Sequence, residues 1–117
     1  MKLSKTSLTF GLIAILTVVL AACSTPTLKV GLIANDIAWN ITTINAKVNQ
    51  PIEITVTNQG ALDHDLVIEE LGVDILLSPG DTEVVSVTVD HAGTIQYICS
   101  IPGHEEAGMV GEIVVTE

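Results

Sequence analysis

The stretch Cys99-Ser-Ile-Pro-Gly-His104-Glu-Glu-Ala-Gly-Met109 carries three metal-binding side chains, with four residues between each and the next. A thiolate, an imidazole and a thioether on one short loop form a soft donor set. Zinc has little use for a thioether and favours additional thiolate, imidazole or carboxylate donors, so the set suits copper better. The segment therefore predicts a copper-binding loop.

A second imidazole is available in His64, which stands at the head of an earlier predicted strand. Two histidines and one cysteine in a plane, with a long axial methionine, are typical of blue-copper sites. Cys23, the other cysteine, lies in an N-terminal segment that we predict to be a lipidation site, so Cys99 would be the only free thiol left. A single free thiol in an oxidising compartment is a liability unless a metal occupies it, and this also favours Cys99 as a ligand. The residues alone thus indicate a site of His64, Cys99, His104 and Met109.

The chain around the loop is rich in valine, isoleucine and threonine, in short runs that Gly, Pro, Asn and Asp separate. Such runs are typical of β-strands. The predicted strands cover residues 28–33, 39–44, 52–58, 64–68, 82–89, 94–99 and 109–115. With no convincing amphipathic helix, the pattern predicts a single all-β domain, a sandwich or a barrel.

The order of these motifs resembles the cupredoxins, small proteins that hold one type 1 copper ion. Besides the ligand loop, the resemblance rests on four framework motifs: Asn58-Gln-Gly60, His64-Asp-Leu-Val-Ile68, Ser78-Pro-Gly80 and Gly93-Thr-Ile-Gln-Tyr-Ile-Cys99. The loop spacing is more similar to that of the membrane-attached auracyanins than to that of plastocyanin. The resemblance implies an eight-stranded Greek-key β-sandwich with copper at one end.

The resemblance also assigns a role to each ligand. His64, His104 and Cys99 correspond to the equatorial ligands, and Met109 to the weak axial one. The residue after the first histidine is asparagine in many cupredoxins but Asp65 here, and its negative charge should favour Cu(II). We expect the backbone N–H groups of Asp65 and Ile101 to bind the Cys99 sulfur; Pro102 comes one residue too late to remove the second donor.

The N-terminal sequence predicts a targeting segment. Lys2 and Lys5 precede an apolar run that ends in Leu20-Ala21-Ala22-Cys23, which resembles the lipobox of bacterial lipoproteins. We predict a signal peptide over 1–22, a lipidated Cys23 with a spacer over 23–27, and the cupredoxin domain over 28–117. The alternatives are an ordinary signal peptide and an uncleaved anchor, although the run is short for a membrane span.

The excess of acidic side chains limits the kinds of partner that the domain can bind. All 14 acidic residues follow Cys23, but only Lys29 and Lys47 of the four lysines do. Such a domain repels nucleic acid and attracts a basic docking face on a partner. The leading hypothesis is a monomeric, lipid-anchored electron carrier outside the cytoplasm, whose partners are a cytochrome or a copper-containing oxidase or reductase. The alternative is a copper carrier or storage lipoprotein. Catalysis is not expected, because protein would fill every metal position.

Overall fold

The computed structural model describes residues 24–117 together with Met1, Val18 and Val19. Within this part the chain forms nine β-strands and one short 3-10 helix, Glu69–Leu71. The strands are β1 Leu28–Asn35, β2 Ala38–Trp39, β3 Thr43–Lys47, β4 Ile52–Asn58, β5 His64–Ile68, β6 Val73–Leu77, β7 Thr82–Val87, β8 Gly93–Ile98 and β9 Val110–Thr116. The predicted all-β sandwich is confirmed, and the count exceeds eight because the two-residue β2 is a strand of its own.

The strands lie in two sheets with the orders β2-β1-β4-β7 and β3-β9-β8-β5-β6. Side chains that alternate along each strand fill the space between the sheets. In β4 every second residue is buried, which places Ile52, Ile54 and Val56 in the core. Leu66 of β5 and Ile113 of β9 are likewise fully buried.

The predicted metal ligands lie at only one of the two ends of the sandwich. β1 and β4 run parallel, in register from Leu28 opposite Ile52 to Ala34 opposite Asn58. The four predicted ligands all lie at the Asn58 end, because β5 starts, β8 finishes and β9 starts there. We call this the copper end, and the end where β1 and β4 begin the anchor end.

The predicted strand over 39–44 is wrong. The chain leaves the first sheet after β2 and joins the second at β3, so the segment spans two sheets. Asn40 ends the pairing of β2 with β1. Its side-chain oxygen accepts a 2.6 Å hydrogen bond from the Ile33 N–H, and its side-chain amide donates to the Gly31 carbonyl at 3.2 Å. The Asn40 side chain thus takes the place of the backbone carbonyl that would otherwise bind the Ile33 N–H.

Strand β6 was not predicted at all. Its sequence, Val-Asp-Ile-Leu-Leu, lacks strict alternation, and it lies at the edge of the second sheet beside β5. Apart from Met1, Val18 and Val19, the predicted signal peptide lies outside the described residues, and so does Cys23. Among the residues that the structure does describe, no helix is long and apolar enough to cross a membrane.

Candidate metal centre

Three of the predicted ligands meet at the copper end. The nitrogen and sulfur donors of His64, Cys99 and His104 all lie within 4.8 Å of one another, and all three residues are buried. The Cys99 sulfur is 3.7 Å from Nδ1 of His64 and 3.3 Å from Nδ1 of His104. The two imidazole rings are 5.0 Å apart between centroids. Both rings therefore turn the same nitrogen toward one sulfur.

These separations fit a shared metal ion. Metal–sulfur and metal–nitrogen bonds of about 2.3 and 2.0 Å, opened by about 100–120°, place the two donor atoms roughly 3.3–3.8 Å apart. The measured sulfur–nitrogen distances fall in that range. The donor chemistry, two imidazoles and one thiolate, is that of a type 1 copper site.

Met109, the fourth predicted ligand, stands at the end of the same loop. Its side chain is fully buried. Its backbone N–H donates to the His104 carbonyl at 3.0 Å, and its carbonyl accepts from the Cys99 N–H at 3.1 Å. One backbone unit thus ties the methionine to two of the other ligands, which closes the predicted loop on itself.

The loop between Cys99 and Met109 is a series of tight turns. The His104 N–H donates to the Ile101 carbonyl at 2.9 Å, which closes a turn at this ligand. Gly103 and Gly108 have φ values of 88° and 100°, a region that favours glycine. The turns explain why a ligand in a loop is only 7 % exposed.

His64 is held from its other side. A Cβ built on Gly60 would come within 3.2 Å of His64 Nε2, so the bare glycine backbone packs directly against the ring. Among the described residues, Nε2 has no hydrogen-bond partner of good geometry, although the Asp36 carbonyl lies close enough to favour the protonated ring. Burial, followed by the neighbouring His104, lowers the pKa of His64 below its usual value and keeps the imidazole neutral.

Asn58 organises the loops that surround His64. Its amide donates to the Leu62 carbonyl at 2.7 Å and to the Leu77 carbonyl at 2.9 Å, while its oxygen accepts from the Gly60 N–H at 2.9 Å. The side chain is fully buried. The Asn58-Gln-Gly60 motif therefore shapes the segment that delivers the first histidine.

The thiol of Cys99 is buried, and burial raises its pKa because water no longer stabilises the thiolate. The backbone N–H groups of Asp65 and Ile101 lie close enough to the sulfur to oppose this rise in the pKa of Cys99. Without a metal the group is a neutral thiol, so metal binding must release its proton.

Asp65 is itself buried, with 7 % of its surface exposed. One of its oxygens accepts a hydrogen bond from the Ser100 N–H, and the other accepts from the Ser100 hydroxyl, each at 2.5 Å. The carboxylate thus joins the strand of His64 to the residue after Cys99. Ser100 was missed as a site residue, and its position directly after a ligand was the only signal for it.

His91, the remaining histidine, lies apart from the cluster. It is exposed, and its Nδ1 is 2.8 Å from the Asp90 carboxylate. Around the ligands the exposed surface is acidic, with Asp36, Asp63, Glu105 and Glu106 in the copper-end loops.

Comparison with known proteins agrees with this picture. A family model described as a cupredoxin-like domain matches residues 8–115. A curated relative, the copper-resistant cuproprotein CopI of Pseudomonas aeruginosa, is 39% identical over 41 residues. That match covers 35% of this chain and 23% of the relative, so the chain spans about a quarter of that protein.

Solved structures share the fold at low sequence identity. An auracyanin from Roseiflexus castenholzii has a TM-score of 0.68 at 20% identity, covering 76% of this chain and 97% of that one. Auracyanin A from Chloroflexus aurantiacus has a TM-score of 0.63 at 19% identity, covering 77% and 99%. The periplasmic domain of cytochrome oxidase subunit II from Bradyrhizobium japonicum scores 0.65 at 19% identity, covering 77% and 84%. Fold and donor set together indicate one type 1 copper ion.

Proposed function

This chain belongs to the cupredoxin-like family, and from that premise we propose that it carries single electrons between redox proteins outside the cytoplasm. The observation behind the proposal is the closed donor set: His64, Cys99, His104 and Met109 are all buried and all come from the protein. Bound copper would supply the Cu(II)/Cu(I) couple. Because protein donors fill the usual positions, a substrate has no vacant one, which favours electron transfer over catalysis.

We assign the equatorial positions to His64, Cys99 and His104 and the axial position to Met109. The scaffold's contribution is to hold these donors in one arrangement for both oxidation states, so that little reorganises on transfer. Support comes from the backbone bonds within the ligand loop and from Gly60 behind His64. His104 is 7 % exposed whereas His64 is fully buried, which makes His104 the exit for the electron.

The surface around His104 fits transient docking. Ile101, Pro102, Ala107 and Gly108 form a small apolar patch, of which the last three residues are exposed. Glu105 and Glu106 lie within the same loop and are exposed as well. A partner with a basic docking face, such as a cytochrome or a copper-containing oxidase or reductase, would be steered to this patch.

We further propose that residues 1–22 are a signal peptide and that Cys23 carries a lipid. The domain would then act at a membrane surface outside the cytoplasm, as a monomer. The basic start, the short apolar run and the small residues before Cys23 support this part of the proposal.

A second candidate is a copper carrier or store in copper homeostasis. The short match to the copper-resistant cuproprotein CopI favours it. So does the shared fold, at a TM-score of 0.67 and 18% identity, with the metal-binding domain of the Cu(I)-exporting ATPase CopA of Streptococcus pneumoniae. A buried site with a thiolate suits retention of copper better than its delivery.

The test is the visible absorption spectrum of residues 24–117, which hold every described strand, after Cu(II) and then ascorbate are added. An electron carrier shows an intense thiolate-to-copper band that bleaches on reduction and returns on reoxidation. His104→Ala should lose the band, and the matched control His91→Ala should keep it. A colourless protein whose copper passes readily to a chelator would favour the carrier hypothesis.

A further inference from the structure

The two lysines of the described domain lie at the anchor end, opposite the copper. Lys29 is the second residue of β1 and pairs with Glu53 near the start of β4. Lys47 is the last residue of β3 and pairs with Thr116 at the far end of β9. Leu28 and Ala34 are six residue steps apart along β1, as are Val110 and Thr116 along β9, so this end lies about 20 Å from the copper end.

Hydrogen bonds hold the first residues of the domain at the anchor end. The Leu28 N–H donates to the Pro51 carbonyl at 2.8 Å. Two residues before Leu28, the Pro26 carbonyl accepts a hydrogen bond from the side-chain amide of Gln50 at 3.1 Å. The spacer is therefore docked as far back as Pro26. Only three residue steps, at most about 10 Å of extended chain, separate Pro26 from Cys23.

Charge is distributed unevenly between the two ends. The copper-end loops carry five exposed acidic residues, Asp36, Asp63, Asp81, Glu105 and Glu106, and no lysine or arginine. At the anchor end the charges are mixed, since Lys29 lies 3.6 Å from the Glu53 carboxylate and Lys47 donates a hydrogen bond to the carbonyl of the acidic residue Glu117 at 2.6 Å. An anionic membrane surface repels the copper end, and the repulsion acts within a Debye length of about 8 Å.

We infer that the domain stands on a phospholipid surface by its anchor end, with the copper end directed away from the membrane. The inference rests on the proposed lipidation of Cys23, because only a tether at that residue brings the anchor end to the lipid. A docked spacer leaves little chain over which the domain can tip, and tipping would bring five exposed carboxylates toward anionic headgroups. The copper then faces partners whose redox centres project above the membrane, and faces away from quinols dissolved in the lipid.

The experiment compares two single-cysteine labels on the lipidated protein bound to phosphatidylglycerol-containing vesicles. Ala61→Cys places a fluorophore in the loop before His64, and Ala92→Cys places it in the turn before β8, at the anchor end; both alanines are exposed. Vesicle flotation reports the tether, and a headgroup-bound quencher reports proximity to lipid. The Cu(I) form is used so that the blue band does not quench the label.

We expect the label at position 92 to be quenched several-fold more than the label at position 61. A flexible Gly-Ser insertion between Ser24 and Thr25 should reduce this difference, since the domain gains freedom to tip. Flotation with equal quenching of both labels would overturn the orientation alone. A chain that does not float with the vesicles would overturn the tether, and the orientation with it.

Discussion

The side chain of Tyr97 packs directly against the main chain of Gly111, its antiparallel partner on β9. A Cβ built on Gly111 would overlap the Cζ, Cε2 and hydroxyl atoms of Tyr97. The tyrosine is fully buried, and its hydroxyl donates to the Ile41 carbonyl at 2.5 Å. Since Tyr97 comes two residues before Cys99, this contact fixes the strand that delivers the thiolate.

Gly111→Ala should therefore destabilise the domain by roughly 2–4 kcal/mol, because the added methyl group has no room in a packed core. Gly31→Ala is the matched control, since Gly31 also lies within a strand but a Cβ added there would meet nothing within 4 Å. The control should stay within about 1 kcal/mol of the parent or gain stability. Urea unfolding measures both, and equal losses would contradict the packing argument.

Tyr97 also predicts a dependence of stability on alkaline pH. Burial, assisted by Glu112, raises the pKa of Tyr97 from 10.0 to about 12. The unfolded tyrosine ionises above pH 10 while the folded one stays neutral, so stability present below pH 10 is lost as the pH rises toward 12. The loss from this residue should reach roughly 2–3 kcal/mol. Tyr97→Phe is the control, and the same alkaline slope in both proteins would show that another group causes it.

The ligand set was predictable because it is encoded locally. Three ligands lie in one loop, where spacing and donor type are visible in the sequence, and His64 begins a strand that alternates regularly. The β-branched runs likewise predicted the sandwich, since alternation reports which face is buried.

Other features depend on contacts between distant parts of the chain. Asn40 ends a strand by binding main-chain groups seven and nine residues away. The partnership of Asp65 with Ser100 spans 35 residues. β6 is a strand because it pairs with β5. Its own residues do not alternate between apolar and polar, so no local pattern indicates a strand there. Such pairings cannot be read from a local pattern.

Asp65→Asn should raise the reduction potential. The buried carboxylate stabilises the more positive oxidation state, and removing a unit charge several ångströms from the metal at an effective dielectric constant of about 20 gives a rise of roughly 50–100 mV. Asp63→Asn removes the same charge from an exposed site nearby, where solvent screens it, and should move the potential much less. Redox titration of the blue band measures both, and equal shifts would remove the special role of Asp65.

Gly60→Ala should disturb the metal site more than it disturbs the fold. The new methyl group would lie 3.1 Å from the Asp36 nitrogen and 3.2 Å from His64 Nε2, so the ring has to move by a few tenths of an ångström. We expect a shifted blue band and altered copper hyperfine splitting in the EPR spectrum, at a stability cost of about 1–2 kcal/mol. Spectra identical to those of the parent would show that the glycine does not position His64.

The acidic copper end should control how fast a basic partner associates. The double variant Glu105→Gln with Glu106→Gln removes two exposed charges from the ligand loop, and Glu69→Gln with Glu70→Gln removes two exposed charges from the side of the sandwich. With a basic cytochrome as the electron donor, the first pair should slow the second-order reduction of the copper several-fold at low salt, because steering acts at the docking face. High salt should abolish the difference in rate between the first pair and the parent, because at about 1 M salt exposed charges are screened beyond roughly 3 Å. If both pairs slow the reaction equally, net charge and not the face around His104 governs the encounter.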